Sequence, residues 1–509
     1  MGVVVKQSIK GTIVNYLGVA IGAFTTFFIL TRYLTAEEVG LTRVLVEAAT
    51  LLSGLSQLGT SASILRYYPY FKDEKNKDNG FFFWSIVIPL IGFALFSLVY
   101  VILKTPITSY FAEKSELFNS FYFYVLPLAF FLLYVTVFEA NANVLLRIVV
   151  PKFVREVLVR VLSLGCYLIY AFRLISLEGF VIAFCGVYAV AMIIDIVYLF
   201  RLGKISIRPN YAFLTPEIKR NYLFYTAFLV VASLATTITP FLNTFFISAK
   251  MGLTFTGIYT IAVFIASVIE VPYRSLGAIS QPHISEAVKD NDIAEVNKLC
   301  KSVSLHQLLV GGFVFIVIWI NIDFIFAVIP NGSVYESGKW VVFFLGITKL
   351  VYSTLNVGIT VLSFSKYYYN SLIFTIVLTV TAIVFNILFI PQWGMTGAAF
   401  ATLLSNVIYY LLMLGYNKIR IKTSPFSYKQ IVVIALMCFL LFINYLWSRL
   451  VLPNIMELFD TTVLAMFADF VLKTMLISIL SLVLVYNMKI SENINQIIDK
   501  CLIKNRIRK

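Results

Sequence analysis

Continuous apolar segments of about 20 residues or more recur along the whole chain and decide what it can fold into. Of 509 residues, 60% are hydrophobic and only 13% are charged, whereas a soluble domain carries about 25% charged residues. Such a chain has too few polar side chains to cover a water-facing surface. This excludes a soluble enzyme, a disordered chain and a coiled coil. Continuous runs of this length are typical of membrane-spanning helices, because the strands of membrane barrels alternate over about 10 residues. We therefore expect an all-α polytopic membrane protein.

Fourteen segments are long enough and apolar enough to cross a bilayer. The breaks between them have turn-forming composition, for example the NGSVYESG run at 331–338 and the PQWG run at 391–394. The predicted spans are 11–34, 39–66, 80–103, 118–142, 153–174, 178–200, 221–248, 255–281, 303–330, 339–363, 370–390, 395–417, 430–449 and 461–487. We expect the longest loops at 201–220 and 282–302, which leaves no room for a soluble catalytic domain.

The distribution of Lys and Arg predicts the orientation. With the N-terminus placed in the cytoplasm, 28 of the 40 basic residues fall in inward segments, 7 fall in outward loops and 5 lie within spans. Cytoplasmic loops carry such an excess in membrane proteins. We therefore expect both termini in the cytoplasm, and we assign most of the net charge of +15 to orientation and to contact with anionic membrane lipids. No nucleic-acid partner is needed to explain it.

An internal repeat is visible at an offset of 218 residues. Residues 26–29 (TFFI) recur as residues 244–247, and single matches at the same offset extend along both halves. These matches pair Arg32 with Lys250, Gly59 with Gly277 and Gly179 with Gly397. Predicted spans 1–6 then map onto spans 7–12, as in transporters with parallel repeats. We expect an N-terminal bundle at 1–210, a C-terminal bundle at 211–425, and two appended helices with a basic tail at 426–509.

Five charged residues inside the spans are the candidate substrate-binding residues: Arg43, Glu47, Glu270, Arg274 and Lys349. Ionisable groups at bilayer depth are costly and mark functional sites by default. The first two are spaced i,i+4, and so are the third and fourth, so each pair lies on one helix face. If the two bundles flank a cleft, the cations would line it, and such a cavity suits an anion such as phosphate.

The other polar groups within spans fit structural roles. We expect Asp469 and Lys473 to pair at i,i+4, and we expect Glu139, Glu156 and Asp195 to lie near the cytoplasmic headgroups. Sugar hydroxyls could be bound by a further polar set, although interhelical hydrogen bonds explain each member equally well. That set comprises Asn15, Tyr16, Gln57, Asn243 and Asn356. The sequence holds no CxxC motif or His/Cys cluster, so we expect no metal and no bound cofactor.

Three stretches carry a resemblance to a known family. Residues 29–45 (ILTRYLTAEEVGLTRVL) and 55–71 (LSQLGTSASILRYYPYF) are similar to the helix 1–2 signature of polysaccharide flippases. Residues 390–405 (IPQWGMTGAAFATLLS) are similar to that family's helix 11–12 turn. Polysaccharide flippases belong to the multidrug/oligosaccharidyl-lipid/polysaccharide exporter superfamily. The resemblance extends over essentially the whole chain.

The resemblance implies translocation of an undecaprenyl-diphosphate-linked oligosaccharide across the bacterial cytoplasmic membrane, without catalysis. It also implies two lobes that rock around a cationic cavity. Relatives such as the lipid II flippase use arginines in helices 1, 2 and 8. Here Arg43 and Arg274 fall on spans 2 and 8, while span 1 carries only Arg32 at its outer end. A polysaccharide polymerase and chain-length machinery are the implied protein partners. An ion or proton gradient is the implied energy source, and the sequence does not identify the coupling ion.

Other functions remain open at this point. A lipid II or teichoic-acid exporter belongs to the same class. A multidrug exporter of the superfamily typically has an acidic residue in helix 1, and residues 11–34 contain none. A membrane polysaccharide polymerase or ligase needs a sizeable outward loop with catalytic residues, whereas the outward loop at 104–117 is short.

Overall fold

The computed structural model of the chain is predominantly helical. The described residues are 3–73, 77–202, 207–211, 215–217, 220, 222, 225–226, 230, 237–458, 462–492, 495–496 and 499. Within them the backbone forms α-helices with short 3₁₀ and π segments and contains no β-strand. The prediction of an all-α polytopic fold is confirmed.

Contacts divide the chain into two compact units. The first comprises Met1–Ile261 and Asn386–Met395, and the second comprises Ala262–Phe385 and Thr396–Lys509. The described helices that begin within residues 1–261 are, in chain order, α1 (Val3–Phe24), α2 (Thr31–Tyr33), α3 (Ala36–Ser56), α4 (Thr60–Phe71), α5 (Phe81–Ile102), α6 (Lys104–Ala112), α7 (Glu116–Ser120), α8 (Val125–Val144), α9 (Val149–Phe153), α10 (Val159–Ala171), α11 (Leu177–Arg201), α12 (Leu242–Lys250) and α13 (Leu253–Ser267). The last of these helices, α13, ends in the second unit.

The second unit holds most of the remaining helices. They are α14 (Val271–Lys289), α15 (Ile293–Ile320), α16 (Ile322–Val328), α17 (Gly332–Tyr335), α18 (Lys339–Leu355), α19 (Val357–Phe364), α20 (Asn370–Tyr416), α21 (Tyr428–Leu450), α22 (Leu452–Leu458) and α23 (Thr462–Asn487). The π segments are Thr25–Leu30, Val154–Leu158 and Asn417–Ile421. The 3₁₀ segments are Lys77–Gly80, Tyr122–Tyr124, Thr239–Phe241, Val268–Glu270 and Glu336–Gly338.

Ten helical stretches of the described chain are long and apolar enough to cross a membrane, and a bent pair formed by α18 and α19 makes eleven. One of them, the run that contains α20, covers two predicted spans. Gly394 inside it has the non-helical angles φ 56° and ψ −135°, so two helices meet at the predicted PQWG turn. Part of the predicted span 221–248 lies outside the described residues. The number of fourteen spans and the 218-residue repeat stay predictions.

Two local features differ from the sequence-based expectation. The predicted span 39–66 is broken between α3 and α4, where Leu58 and Gly59 adopt positive φ angles of 48° and 70° that no α-helix accommodates. The predicted loop at 282–302 is wrong, because α14 continues to Lys289 and α15 already begins at Ile293. The side chain of Asp292 accepts the backbone N–H of Glu295 at 3.0 Å and caps α15.

In the first unit, helices α3 and α13 approach so closely that their backbones touch. A Cβ atom on Gly40 would overlap the carbonyl oxygen of Leu253, and one on Gly257 would overlap the carbonyl oxygen of Ala36. Small residues permit such contacts between membrane helices. The start of α3 is fixed by a capping box, in which Thr35 and Glu38 bind each other's backbone N–H groups. The close contact and the capping box together fix the position of α3, the helix that carries Arg43.

Candidate functional site

Arg43 and Glu47 form the ion pair that their spacing predicts. They lie one turn apart on α3, and Nε of Arg43 contacts Oε1 of Glu47. The arginine side chain is 40% exposed, whereas the glutamate side chain is only 4% exposed. The buried carboxylate of Glu47 therefore holds the more exposed guanidinium of Arg43 in place. Because a guanidinium has five N–H donors, Arg43 keeps donors for a further anion.

The second unit contains a comparable arrangement around Lys349. Its Nζ lies 2.7 Å from Oε2 of Glu270, and again the cation is more exposed (34%) than the carboxylate (13%). Glu270 ends the 3₁₀ turn Val268–Glu270, and Pro272 follows at the start of α14. Since proline and the tighter turn interrupt the regular α-helical register, the side chain of Glu270 leaves the helix at a local irregularity.

Aromatic and amide groups surround this second pair. Lys349 lies 5.9 Å from the ring centroid of Tyr352, which packs edge-on against Tyr273 at 5.3 Å. Asn356 donates a hydrogen bond to the Tyr273 hydroxyl. A cation beside two tyrosines and an amide can bind the charge and the hydroxyl groups of one ligand. The side chain of Arg274 lies outside the described residues.

The pairing of Glu270 with Lys349 is the feature that sequence reasoning missed. Both residues were candidates, but they are 79 positions apart and no local spacing connects them. An unpaired charge within the bilayer costs free energy, and this cost favours the pairing of two opposite charges there. The presence of both charges in predicted spans was therefore the one indication in the sequence that they would pair.

Two of the remaining polar candidates, Asn243 and Gln57, form hydrogen bonds within the protein. Asn243 donates to the hydroxyl of Tyr259 at 2.6 Å and accepts from Asn386 at 3.0 Å. Gln57 accepts from Ser61 at 2.7 Å. For Asn243 the bond to Tyr259 joins α12 and α13, which agrees with the interhelical explanation. The side chain of Asn15 is half-buried and that of Tyr16 is exposed.

The acidic and basic residues on the other helices form a separate network. Arg155 contacts Glu139 at 2.5 Å and Glu156 at 3.3 Å, and Glu156 contacts Arg160 at 3.0 Å. Arg155 stands near the start of the predicted span 153–174, and it lies in the π segment Val154–Leu158.

Two further predictions concern Asp195 and the appended helices. Asp195 is fully buried, with no hydrogen bond to either carboxyl oxygen in the described part of the chain. Asp469 and Lys473 pair at 2.7 Å as expected. Among the described residues, no group of three or more His, Cys, Asp or Glu side chains could hold a metal ion.

Known proteins share both sequence and fold with this chain. The family described as "Polysaccharide biosynthesis protein" matches residues 8–288, which is more than half of the chain. Among curated proteins none matches. The lipid II flippase MurJ in an inward closed conformation has a TM-score of 0.66 at 14% identity, covering 96% of this chain and 100% of that chain.

Transporters of a second type share the fold over a smaller part of the chain. An inward-facing multidrug resistance MATE family transporter of the MOP superfamily has a TM-score of 0.61 at 16% identity, covering 80% of this chain and 94% of its own. The Vibrio cholerae MATE transporter VcmN in the bent form has a TM-score of 0.53 at 14% identity, covering 82% of this chain and 97% of its own. At these identities the likeness shows a common fold.

Proposed function

Because the chain belongs to the polysaccharide biosynthesis protein family, we propose that it flips an undecaprenyl-diphosphate-linked oligosaccharide across the bacterial cytoplasmic membrane. The substrate moves from the cytoplasmic to the outer leaflet and supplies surface polysaccharide synthesis. The step is transport by alternating access, in which no covalent bond is made or broken. A membrane-spanning fold of the MurJ and MATE type supports transport as the class.

The observation that carries the proposal is the half-exposed guanidinium of Arg43 above the buried carboxylate of Glu47. A diphosphate offers oxygen acceptors in the geometry that a guanidinium binds in bidentate fashion. Glu47 restricts the side-chain motion of Arg43 and so reduces the entropy lost when the substrate binds. We assign the ammonium of Lys349, held by Glu270, the same role toward the diphosphate or an acidic sugar. Arg274 is proposed as a third cation.

A lipid II-type exporter is the second candidate. The structural match to the lipid II flippase covers 96% of this chain, whereas the match to the multidrug transporter covers 80% of it. This difference favours a lipid-linked substrate over a soluble drug. The two lipid-linked substrates share the diphosphate and differ in their sugars, so complementation of strains that lack one or the other flippase distinguishes them.

The test removes both charges of each pair. Replacing Arg43 alone would leave a buried carboxylate without its cation, which destabilises a protein. The double variants Arg43→Gln/Glu47→Gln and Lys349→Gln/Glu270→Gln avoid this problem because both partners become neutral. We expect each double variant to reach the membrane in normal amounts and to abolish surface glycan in a strain that depends on this gene. Surface glycan staining and immunoblotting of the tagged protein provide the two measurements.

Arg449→Ala is the matched control. This arginine lies at the end of α21, where its guanidinium packs 5.5 Å from the Tyr445 ring. We expect normal glycan production from this variant. Full glycan production by both double variants at normal protein levels would contradict the assignment of these cations to the substrate.

A further inference from the structure

A cavity of about 270 Å³ lies within the second unit, and neither Lys349 nor Glu270 lines it. Its walls come from the ends of α15 and α21, from the short helices α16 and α22, from the start of α18 and from the first half of α23. The loops predicted to face the outside of the cell in this region are 331–338 and 450–460. The cavity thus belongs to the predicted outer side of the appended helices and their neighbours.

The floor of the cavity is a buried ion pair. Lys473 donates to Oδ2 of Asp469 at 2.7 Å, and the indole N–H of Trp447 donates to Oδ1 at 2.7 Å. The side chains of Lys473 and Asp469 are 8% and 9% exposed. Both carboxylate oxygens are therefore occupied, whereas the ammonium group has three N–H donors and uses one toward the described residues. The floor offers hydrogen-bond donors to a ligand.

Helix α21 contributes an amide and a hydroxyl group to the lining of the cavity. Asn444 and Ser448 are spaced i,i+4 on α21, so they share one helix face, and both line the cavity. Neither makes a side-chain hydrogen bond to any residue that the structure describes, and Oδ1 of Asn444 is buried. Leaving a buried amide unpaired is costly. This wall supplies both donors and acceptors.

A second, more exposed ion pair and two aromatic side chains complete the lining. Nζ of Lys339 lies 2.5 Å from Oδ1 of Asp323, whose side chain is exposed. Trp319 and Phe324 contribute aromatic surface. The two lysines balance the two aspartates that line the cavity, so its net charge is zero.

From these contacts we propose that the cavity binds one neutral sugar residue of the exported glycan. Every sugar hydroxyl both donates and accepts, which matches the mixed set of ammonium, amide, hydroxyl and carboxylate groups. The apolar face of a pyranose ring packs on aromatic side chains such as Trp319. A balanced charge does not favour a phosphate group. The volume is slightly below the roughly 300–1,000 Å³ of sites for drug-sized ligands, which suits a single ring.

The proposal rests on the proposed function for the origin of the sugar, but sugar binding is measurable without transport. The full-length protein is purified into lipid nanodiscs and probed with methyl β-D-glucopyranoside, N-acetylglucosamine and glucuronate. Ligand-observed NMR detects binding and its affinity. We expect a neutral sugar to bind with a Kd on the order of 1 mM, a typical weak affinity, and more tightly than glucuronate.

Ser448→Trp fills the cavity, and we expect it to weaken sugar binding by about tenfold or more. Leu446→Trp is the matched control, because this exposed residue lies two positions away on α21 and does not line the cavity. We expect its affinity to equal that of the unchanged protein. Asn444→Leu replaces Ser448→Trp if the latter does not fold, and we expect the same loss.

Three results would overturn the proposal: no sugar binds, glucuronate binds best, or Ser448→Trp binds sugar as well as Leu446→Trp does. A phospholipid that copurifies with the unchanged protein and is lost from Ser448→Trp would assign the cavity to a lipid headgroup instead. Failure of the proposed function is distinguishable. A chain that binds sugar at this site but does not flip a lipid-linked oligosaccharide in proteoliposomes would refute the function and leave the site in place.

Discussion

Two cations within the spans are each held by a carboxylate that is more deeply buried than the cation itself. Arg43 rests on Glu47, and Lys349 rests on Glu270. The buried carboxylate fixes the position of the cation, and the cation keeps some of its N–H donors for another anion. The first pair was predictable because both members lie on one helix. The second was not, because it depends on how α18 packs beside the 3₁₀ turn that ends at Glu270.

Asp195 provides a prediction about stability at the same scale. Its carboxyl group is fully buried and makes no hydrogen bond within the described chain. Asparagine has nearly the same shape and no charge to desolvate. We expect Asp195→Asn to leave the free energy of unfolding unchanged within about 0.5 kcal/mol or to raise it. Thermal unfolding of the purified protein in detergent gives the measurement.

Glu139→Gln serves as the comparison for Asp195. The Glu139 carboxylate contacts the guanidinium of Arg155 at 2.5 Å, and this arginine is about half exposed. Loss of a partly solvated, charge-assisted pair should cost about 1 kcal/mol. If Asp195→Asn proved more destabilising than Glu139→Gln, the carboxyl group of Asp195 would have a partner that the structure does not reveal.

At the scale of whole helices, glycine decides how closely two of them approach. Gly40 on α3 and Gly257 on α13 each face a backbone carbonyl of the other helix, with no room for a Cβ atom. The sequence predicted the turn at 391–394 from its proline and glycine. It did not predict the break after α3, because a leucine at positive φ is uncommon and carries no sequence signal.

The helix contact predicts opposite effects for one type of substitution at two glycines. Alanine normally stabilises a helix relative to glycine by about 0.5–1 kcal/mol. At Gly40 the added methyl group would collide with the Leu253 carbonyl, so we expect Gly40→Ala to destabilise the protein by about 1–3 kcal/mol. Gly165 on α10 has open space where a methyl group would lie, and we expect Gly165→Ala to be neutral or stabilising.

Unfolding temperatures of the two glycine variants test this expectation side by side. Equal temperatures for Gly40→Ala and Gly165→Ala would mean that α3 and α13 can separate at no cost.

At the scale of the molecule, the all-α membrane fold followed from hydrophobicity alone. The division into bundles at 1–210 and 211–425 stays a prediction. By its contacts, the segment Asn386–Met395 groups with the first compact unit, whereas the rest of α20 groups with the second. Grouping of this kind depends on tertiary contacts between distant segments, and hydropathy contains no information about such contacts. The distribution of Lys and Arg along the chain predicts which segments face the cytoplasm. That prediction requires a separate test.

Cysteine labelling tests the predicted orientation. Glu37 and Asn331 are exposed in segments predicted to face outward, and Lys422 is exposed in a segment predicted to face the cytoplasm. In a variant without the five native cysteines, we expect an impermeant maleimide to label Glu37→Cys and Asn331→Cys in intact cells. Labelling of Lys422→Cys should require permeabilised cells. The reverse pattern would invert the topology.

The backbone contact at Gly40 and Gly257 has a consequence for the path of water between these helices. A membrane protein with charged groups among its helices risks conducting protons along chains of water. Where two backbones touch without an intervening side chain, no file of water molecules fits between them. At these two glycines the backbones of α3 and α13 leave no space for a water molecule, so a chain of water cannot cross the contact.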